Sequence, residues 1–63
     1  MKAKPGDYVE MRYFNASTNT KISVQGVFIR YQYHDEVVIL TATGLGTFLL
    51  DIWGQPNVIF RSR

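Results

Sequence analysis

The chain has no cysteine, which removes a disulfide framework and a thiolate zinc site together. Its one histidine is too few for a histidine metal centre, so neither a metal nor any other cofactor is expected. No apolar run approaches the ~18 residues needed to cross a bilayer. No apolar core segment follows the basic Met1-Lys2-Ala3-Lys4, so the reading predicts no signal peptide, no membrane partner and a cytoplasmic location. Charge is sparse as well: seven Lys and Arg against five Asp and Glu leave a net +2, well short of the lysine-rich arms that advertise nucleic-acid binding. Lys2 and Lys4 lie at one end and Arg61 and Arg63 at the other, with Arg12, Lys21 and Arg30 between. Two readings fit that placement. The charges are ordinary solubilising ones, or they form modest patches that a homo-oligomer multiplies into a useful field.

The residues of a catalytic site are also missing. His34-Asp35-Glu36 holds three polar groups, but consecutive residues of an extended chain point alternately to opposite sides and cannot converge on one ligand. No serine stands in a nucleophile-elbow setting. Gly44-Leu45-Gly46 lacks the helix and lysine of a phosphate-cradling loop. The expectation is a protein that is not an enzyme and has no small-molecule substrate.

What is present is aromatic and β-branched. One Trp, four Tyr and four Phe in 63 residues favour β-structure, and no window carries a helical period. A chain of this length is one domain, residues 1–63, near the lower limit for independent folding. Such domains lean on disulfides, metals or oligomerisation, and only the last is left. The stretch Val37 to Phe60 supports that choice. Val37-Val38-Ile39-Leu40, Phe48-Leu49-Leu50-Asp51-Ile52-Trp53 and Val58-Ile59-Phe60 are apolar on both faces, whereas a sheet with one wet face alternates.

Along the chain, Lys4-Pro5-Gly6-Asp7 predicts a turn. Tyr8 to Phe14 alternates, with Val9, Met11 and Tyr13 on one side and Tyr8, Glu10, Arg12 and Phe14 on the other, a half-buried first strand. Asn15–Thr20 is a polar loop. Lys21 to Tyr33 is the longest strand, and its apolar parity changes after Gly26 from Ile22 and Val24 to Val27, Ile29, Tyr31 and Tyr33. A glycine at a parity switch predicts a bulge or bend. Val37–Thr43, Thr47–Trp53 and Val58–Arg61 complete five strands, with turns at residues 33–36, 43–46 and 54–57. The predicted fold is all-β, a small, strongly bent five-stranded open barrel of the SH3-like or OB-like kind.

Three segments carry a resemblance to the Sm-like family, most closely its bacterial Hfq branch. Ile22-Ser23-Val24-Gln25-Gly26-Val27 looks like the family's bent second strand with its glycine. His34-Asp35-Glu36-Val37-Val38-Ile39-Leu40 is similar to the end of the Sm1 motif, and Ile52 to Phe60 falls where Sm2 sits. The pattern spans roughly Tyr8 to Arg61. It departs from the family in four places. The N-terminal helix has no counterpart in Met1–Lys4, and the spacing from Gly26 to Asp35 is longer. Trp53 stands where a basic residue precedes the Sm2 glycine, and Val37 where an aromatic precedes the Sm1 triplet.

The resemblance implies a homo-oligomeric ring, closed through edge strands four and five, that binds single-stranded RNA or DNA in RNA or DNA processing. Trp53 with Gln55 and Asn57 could stack a base and bond its edge, as single-strand binders do; its other role is to fill a subunit interface. Tyr33 and His34 are the second candidate pair, on a loop that lines the pore in such a ring, or else a plain exposed turn. Arg30 is a candidate phosphate contact, or a partner for a surface acid. Asp35 is expected to order its own turn. The alternative is an SH3-like protein-interaction module or a small structural subunit of a larger assembly, because Lys4-Pro5-Gly6-Asp7-Tyr8-Val9 resembles the start of many SH3-like barrels.

Overall fold

The computed structural model describes residues 2–62; Met1 and Arg63, two of the residues in the basic ends read above, lie outside it. Five antiparallel strands, β1 (Tyr8–Asn15), β2 (Thr20–Gln32), β3 (Glu36–Thr41), β4 (Gly44–Leu49) and β5 (Asn57–Phe60), form one sheet in the order β4-β3-β2-β1-β5. A one-turn helix, α1 (Leu50–Trp53), joins β4 to β5. The protein is thus all-β apart from one helical turn, and the sheet leaves β4 and β5 as its two edges.

Turn chemistry sets the connections. Between β1 and β2, the Asn15 side chain accepts the Ser17 N–H at 3.0 Å, and Asn19 takes a left-handed φ of 54°, one of the few non-glycine residues that does so readily. Between β3 and β4, Ala42 and Thr43 alone make the loop, and the Thr41 hydroxyl donates to the Gly44 carbonyl at 2.8 Å. The sequence reading placed that turn slightly later, at residues 43–46; Gly44 and Gly46 are instead in β4.

β2 is the longest strand and serves two partners. Its first part, Thr20 to Val27, pairs with β1, and Val27 to Gln32 pairs with β3. The handover falls at Gly26, which is buried. A Cβ there would collide with the Leu40 carbonyl oxygen and stand 2.7 Å from Ile39 Cγ2, so only glycine lets β3 come this close. The register shift itself lies between Phe28 and Arg30, a little beyond the glycine where the parity argument put it. Val24, Gly26 and Phe28 keep one parity, and the bulge then turns Tyr31 toward the core.

The core is Ala3, Val9, Met11, Phe28, Val37 and Ile39, with Tyr31, Phe48, Leu50, Trp53 and Val58 packed around it. The alternation of β1 is the one expected, with Val9 and Met11 fully buried and Arg12 and Phe14 exposed. In β3 both parities are buried, Val38 included, so part of the two-faced apolar run is covered within the subunit. Leu40, Leu45, Leu49, Ile52, Ile59 and Phe60 stay exposed.

The stretch Thr47–Trp53 is not one strand. β4 ends at Leu49, and Leu50 and Trp53, three residues apart, turn inward while Asp51 and Ile52 face solvent. The Leu50 N–H donates to the Asp35 carbonyl at 2.7 Å, and Gly54 closes the turn by donating to the Leu50 carbonyl at 2.8 Å. A single turn is too short to display a period in the sequence.

Candidate nucleic-acid interface

The β2–β3 connection is a three-residue turn, Tyr33-His34-Asp35, closed by the Gln32–Glu36 pair. The Gln32 amide donates to Glu36 Oε1 at 2.8 Å across its mouth. Tyr33 sits at the turn's left-handed position with φ 53°, and its side chain is 82 % exposed. An aromatic residue held at positive φ and pushed into water is strained in backbone and in solvation. His34 and Asp35 beside it are exposed. Asp35 orders this region through its main chain, by accepting the Leu50 N–H; among the described residues its side chain makes none of the bonds expected of it.

That backbone bond anchors the turn to the start of α1, so the two loops singled out in the sequence adjoin. A second tie reinforces it: the Tyr31 hydroxyl donates to Gln55 Oε1 at 3.3 Å. The Lys2 ammonium lies 5.8 Å from the centre of the Tyr31 ring, which brings a cation to the same place. Arg30 is exposed, and its guanidinium donates to Gln32 Oε1 at 3.3 Å, leaving most of its donors free for an anion.

Trp53 lies inside the subunit. It is half-buried, edge-on to Phe48 at 5.0 Å between ring centres and 5.6 Å from Tyr13. Its indole therefore closes the core under α1, a packing role within one subunit that the sequence reading had not weighed. Asn57 opens β5 opposite Glu10 of β1, so its strand neighbour belongs to a different part of the surface from Tyr33.

Two features escaped the sequence reading. Asp7, in the first turn, is 1 % exposed. Its carboxylate accepts the N–H of Lys4 at 2.9 Å and of Ser62 at 2.5 Å, with the Arg61 guanidinium 3.9 Å away. The Ser62 and Lys4 hydrogen bonds hold its pKa below the ordinary value of 3.8, against the opposing effect of burial. The composition of Pro5-Gly6-Asp7 announces the turn, but no local signal announces a partner at the far end of the chain.

The second is the free end of the β1–β2 hairpin. β5 pairs with β1 only at Tyr8, Val9 and Glu10, and β3 meets β2 only from Val27. Beyond those points β1 and β2 run on as a two-stranded ribbon. An open groove of about 470 Å³ lies along it, bordered by Arg12, Phe14, Lys21 and Ile22. Glu10 there accepts from Arg12 Nε at 2.7 Å and from the Gln25 amide at 3.4 Å, and these bonds, Arg12 foremost, lower its pKa.

Among the described residues no three His, Asp or Glu side chains are grouped to hold a metal ion, and no helix is long and apolar enough to cross a membrane. No protein-family model, curated protein or solved structure matches the chain.

Proposed function

We propose that this protein is a non-catalytic, Sm-like nucleic-acid-binding subunit that closes head to tail into a homo-oligomeric ring and binds single-stranded RNA or DNA around Tyr33. The observation that carries the reading is Tyr33 itself, 82 % exposed at φ 53° on a turn anchored to α1. Strain of this kind collects at binding sites, where the surrounding structure holds it in place. A flat ring presented to solvent is a stacking platform that any base can use. His34 adds a second ring, Gln55 an amide for a base edge and Lys2 a cation for phosphate, while Arg30 offers a second cation on the opposite face of β2 from Tyr31. Trp53, packed on Tyr13 and Phe48, has its part in holding α1 to the core, and Asn57, opposite Glu10, plays a peripheral one.

The ring reading is supported by the two sheet edges. β4 carries Leu45 and Leu49, and β5 carries Ile59 and Phe60, all exposed. Pairing one edge with the other is a heterologous contact, which closes into a ring when the rotation permits. The bent, doubly paired β2 is compatible with an Sm-like or an SH3-like barrel, so fold alone does not choose between them. The second reading, a structural subunit of a larger assembly without nucleic acid, draws on the same exposed apolar residues.

Fluorescence anisotropy with short U-rich and A-rich RNAs and their DNA counterparts over a salt series tests the proposal. Phosphate contacts release counterions, so affinity should fall as salt rises. Tyr33→Gly removes the ring while relieving the left-handed backbone, so a loss of binding cannot be ascribed to unfolding. Losing one stacked base should weaken binding roughly 5- to 150-fold. Absence of binding even at low salt would favour the structural subunit.

A further inference from the structure

We infer that the free edge of β2, Thr20 to Gln25, pairs with the same edge of a second copy about a two-fold axis at Ile22. The inference is independent of the nucleic-acid reading and uses neither β4 nor β5.

The edge is open over the whole segment. On one side each residue from Thr20 to Gln25 faces β1; on the other, β3 begins its pairing only at Val27. An unpaired row of backbone N–H and C=O groups is a template for another strand, and proteins guard such rows with prolines, bulges or charges. Thr20-Lys21-Ile22-Ser23-Val24-Gln25 has no proline and one charge. That charge does not guard the edge. The Lys21 ammonium lies 5.9 Å from the centre of the Phe14 ring, and Phe14 is its partner on β1, on the side away from the opening.

The segment also fits itself. Ile22 opposes Tyr13 and Val24 opposes Met11, so Thr20, Ile22 and Val24 share the face that continues the core. An antiparallel pairing centred on Ile22 sets Ile22 against Ile22 of the second copy and Val24 against its Thr20. The half-open Ile22, 44 % exposed, is then covered by an apolar neighbour. On the other face Lys21 meets Ser23, and the two lysines are kept diagonal. A slip of one residue would set the apolar face of one copy against the polar face of the other. Centring on Lys21 would put like charges directly opposite. Centring on Ser23 would bring Thr20 against Gly26, which Leu40 already covers. The pairing about Ile22 runs from Thr20 to Val24, matches both faces and stops short of Gly26.

The test exploits the absence of cysteine. Ile22→Cys places two thiols across the axis at the 4.5–5.5 Å Cβ separation of directly opposed residues. Under mild oxidation it should form a linked dimer on the order of a thousandfold faster than Ser17→Cys in the exposed turn, reflecting a millimolar effective concentration against micromolar free protein. Ile22→Lys should halve the native mass by light scattering with an unchanged circular dichroism spectrum. Leu45→Lys, which strikes the ring edge, should leave the Ile22→Cys dimer intact. Equal crosslinking of the two cysteine variants, or an unchanged mass for Ile22→Lys, would overturn the inference, as would capture of the edge by a different chain.

Discussion

Asp7 shows how one buried carboxylate can organise both ends of a small sheet. Its side chain takes the N–H of Lys4 and of Ser62. Its own backbone meanwhile joins Phe28, whose N–H donates to the Asp7 carbonyl at 2.7 Å. Replacing it by Asn leaves one acceptor oxygen and turns an amide NH₂ toward a backbone donor, so Asp7→Asn should lower the unfolding midpoint in urea. The pH dependence has a definite sign. The folded-state pKa is depressed below 3.8, so the stabilisation is complete above the unfolded value and is lost as pH falls through the folded one. Thermal melts from neutral pH downward should show the native protein weakening in the acid range below about pH 4. Asp7→Asn, already weakened, should show less of that loss. A variant that matches the native protein at every pH would remove Asp7 from this role.

At the scale of elements, α1 depends on how it ends. Gly54 has φ 76° and ψ −173°, a conformation essentially reserved for glycine, and nothing lies within 4 Å of where its Cβ would be. Gly54→Ala should therefore cost about 1–3 kcal/mol through backbone strain alone. Because Trp53 closes the turn, the loss should be visible as a change in tryptophan fluorescence. The same element marks where sequence reasoning stops. β1 was legible because Val9, Met11 and Tyr13 alternate cleanly with Glu10 and Arg12, and the turns were legible from Pro5-Gly6, Asn15–Asn19 and Gly54-Gln55-Pro56. Leu50-Asp51-Ile52-Trp53 reads equally well as a strand or as one helical turn. What decides is the Asp35 carbonyl, supplied by a loop elsewhere in the chain. The bulge after Phe28 was misplaced to Gly26 because a parity change in sequence does not distinguish a bend from a register shift. Tyr33 was singled out by its chemistry, but its strain could not be read, since φ at a turn depends on how the flanking strands pair. Trp53 was assigned to a ligand or an interface because its partners, Tyr13 and Phe48, come from two other strands.

The whole molecule leaves large apolar side chains outside. Leu45 and Phe60 are each 69 % exposed on opposite edges of the sheet, in a chain too short to bury more of itself. If copies cover these residues, association and folding are linked and the melting temperature rises with protein concentration. Leu45→Lys should weaken that dependence and lower the native mass to that of the pair joined through β2, while a melting temperature constant across a hundredfold dilution would show a subunit that stands alone. The Asp7 clamp has a consequence of another kind. Lys4 and Ser62 donate to the same carboxyl group, so the polypeptide enters and leaves the sheet at one spot. The connectivity is nearly circular: a short linker could close that gap, and new termini could be opened at the exposed Ala16–Asn19 turn without changing which strands are neighbours. A segment attached after Ser62 would therefore leave the sheet beside the point where Lys4 enters it, while Lys2 carries the other end to the Tyr31 ring, on the strand that leads into the Tyr33 turn.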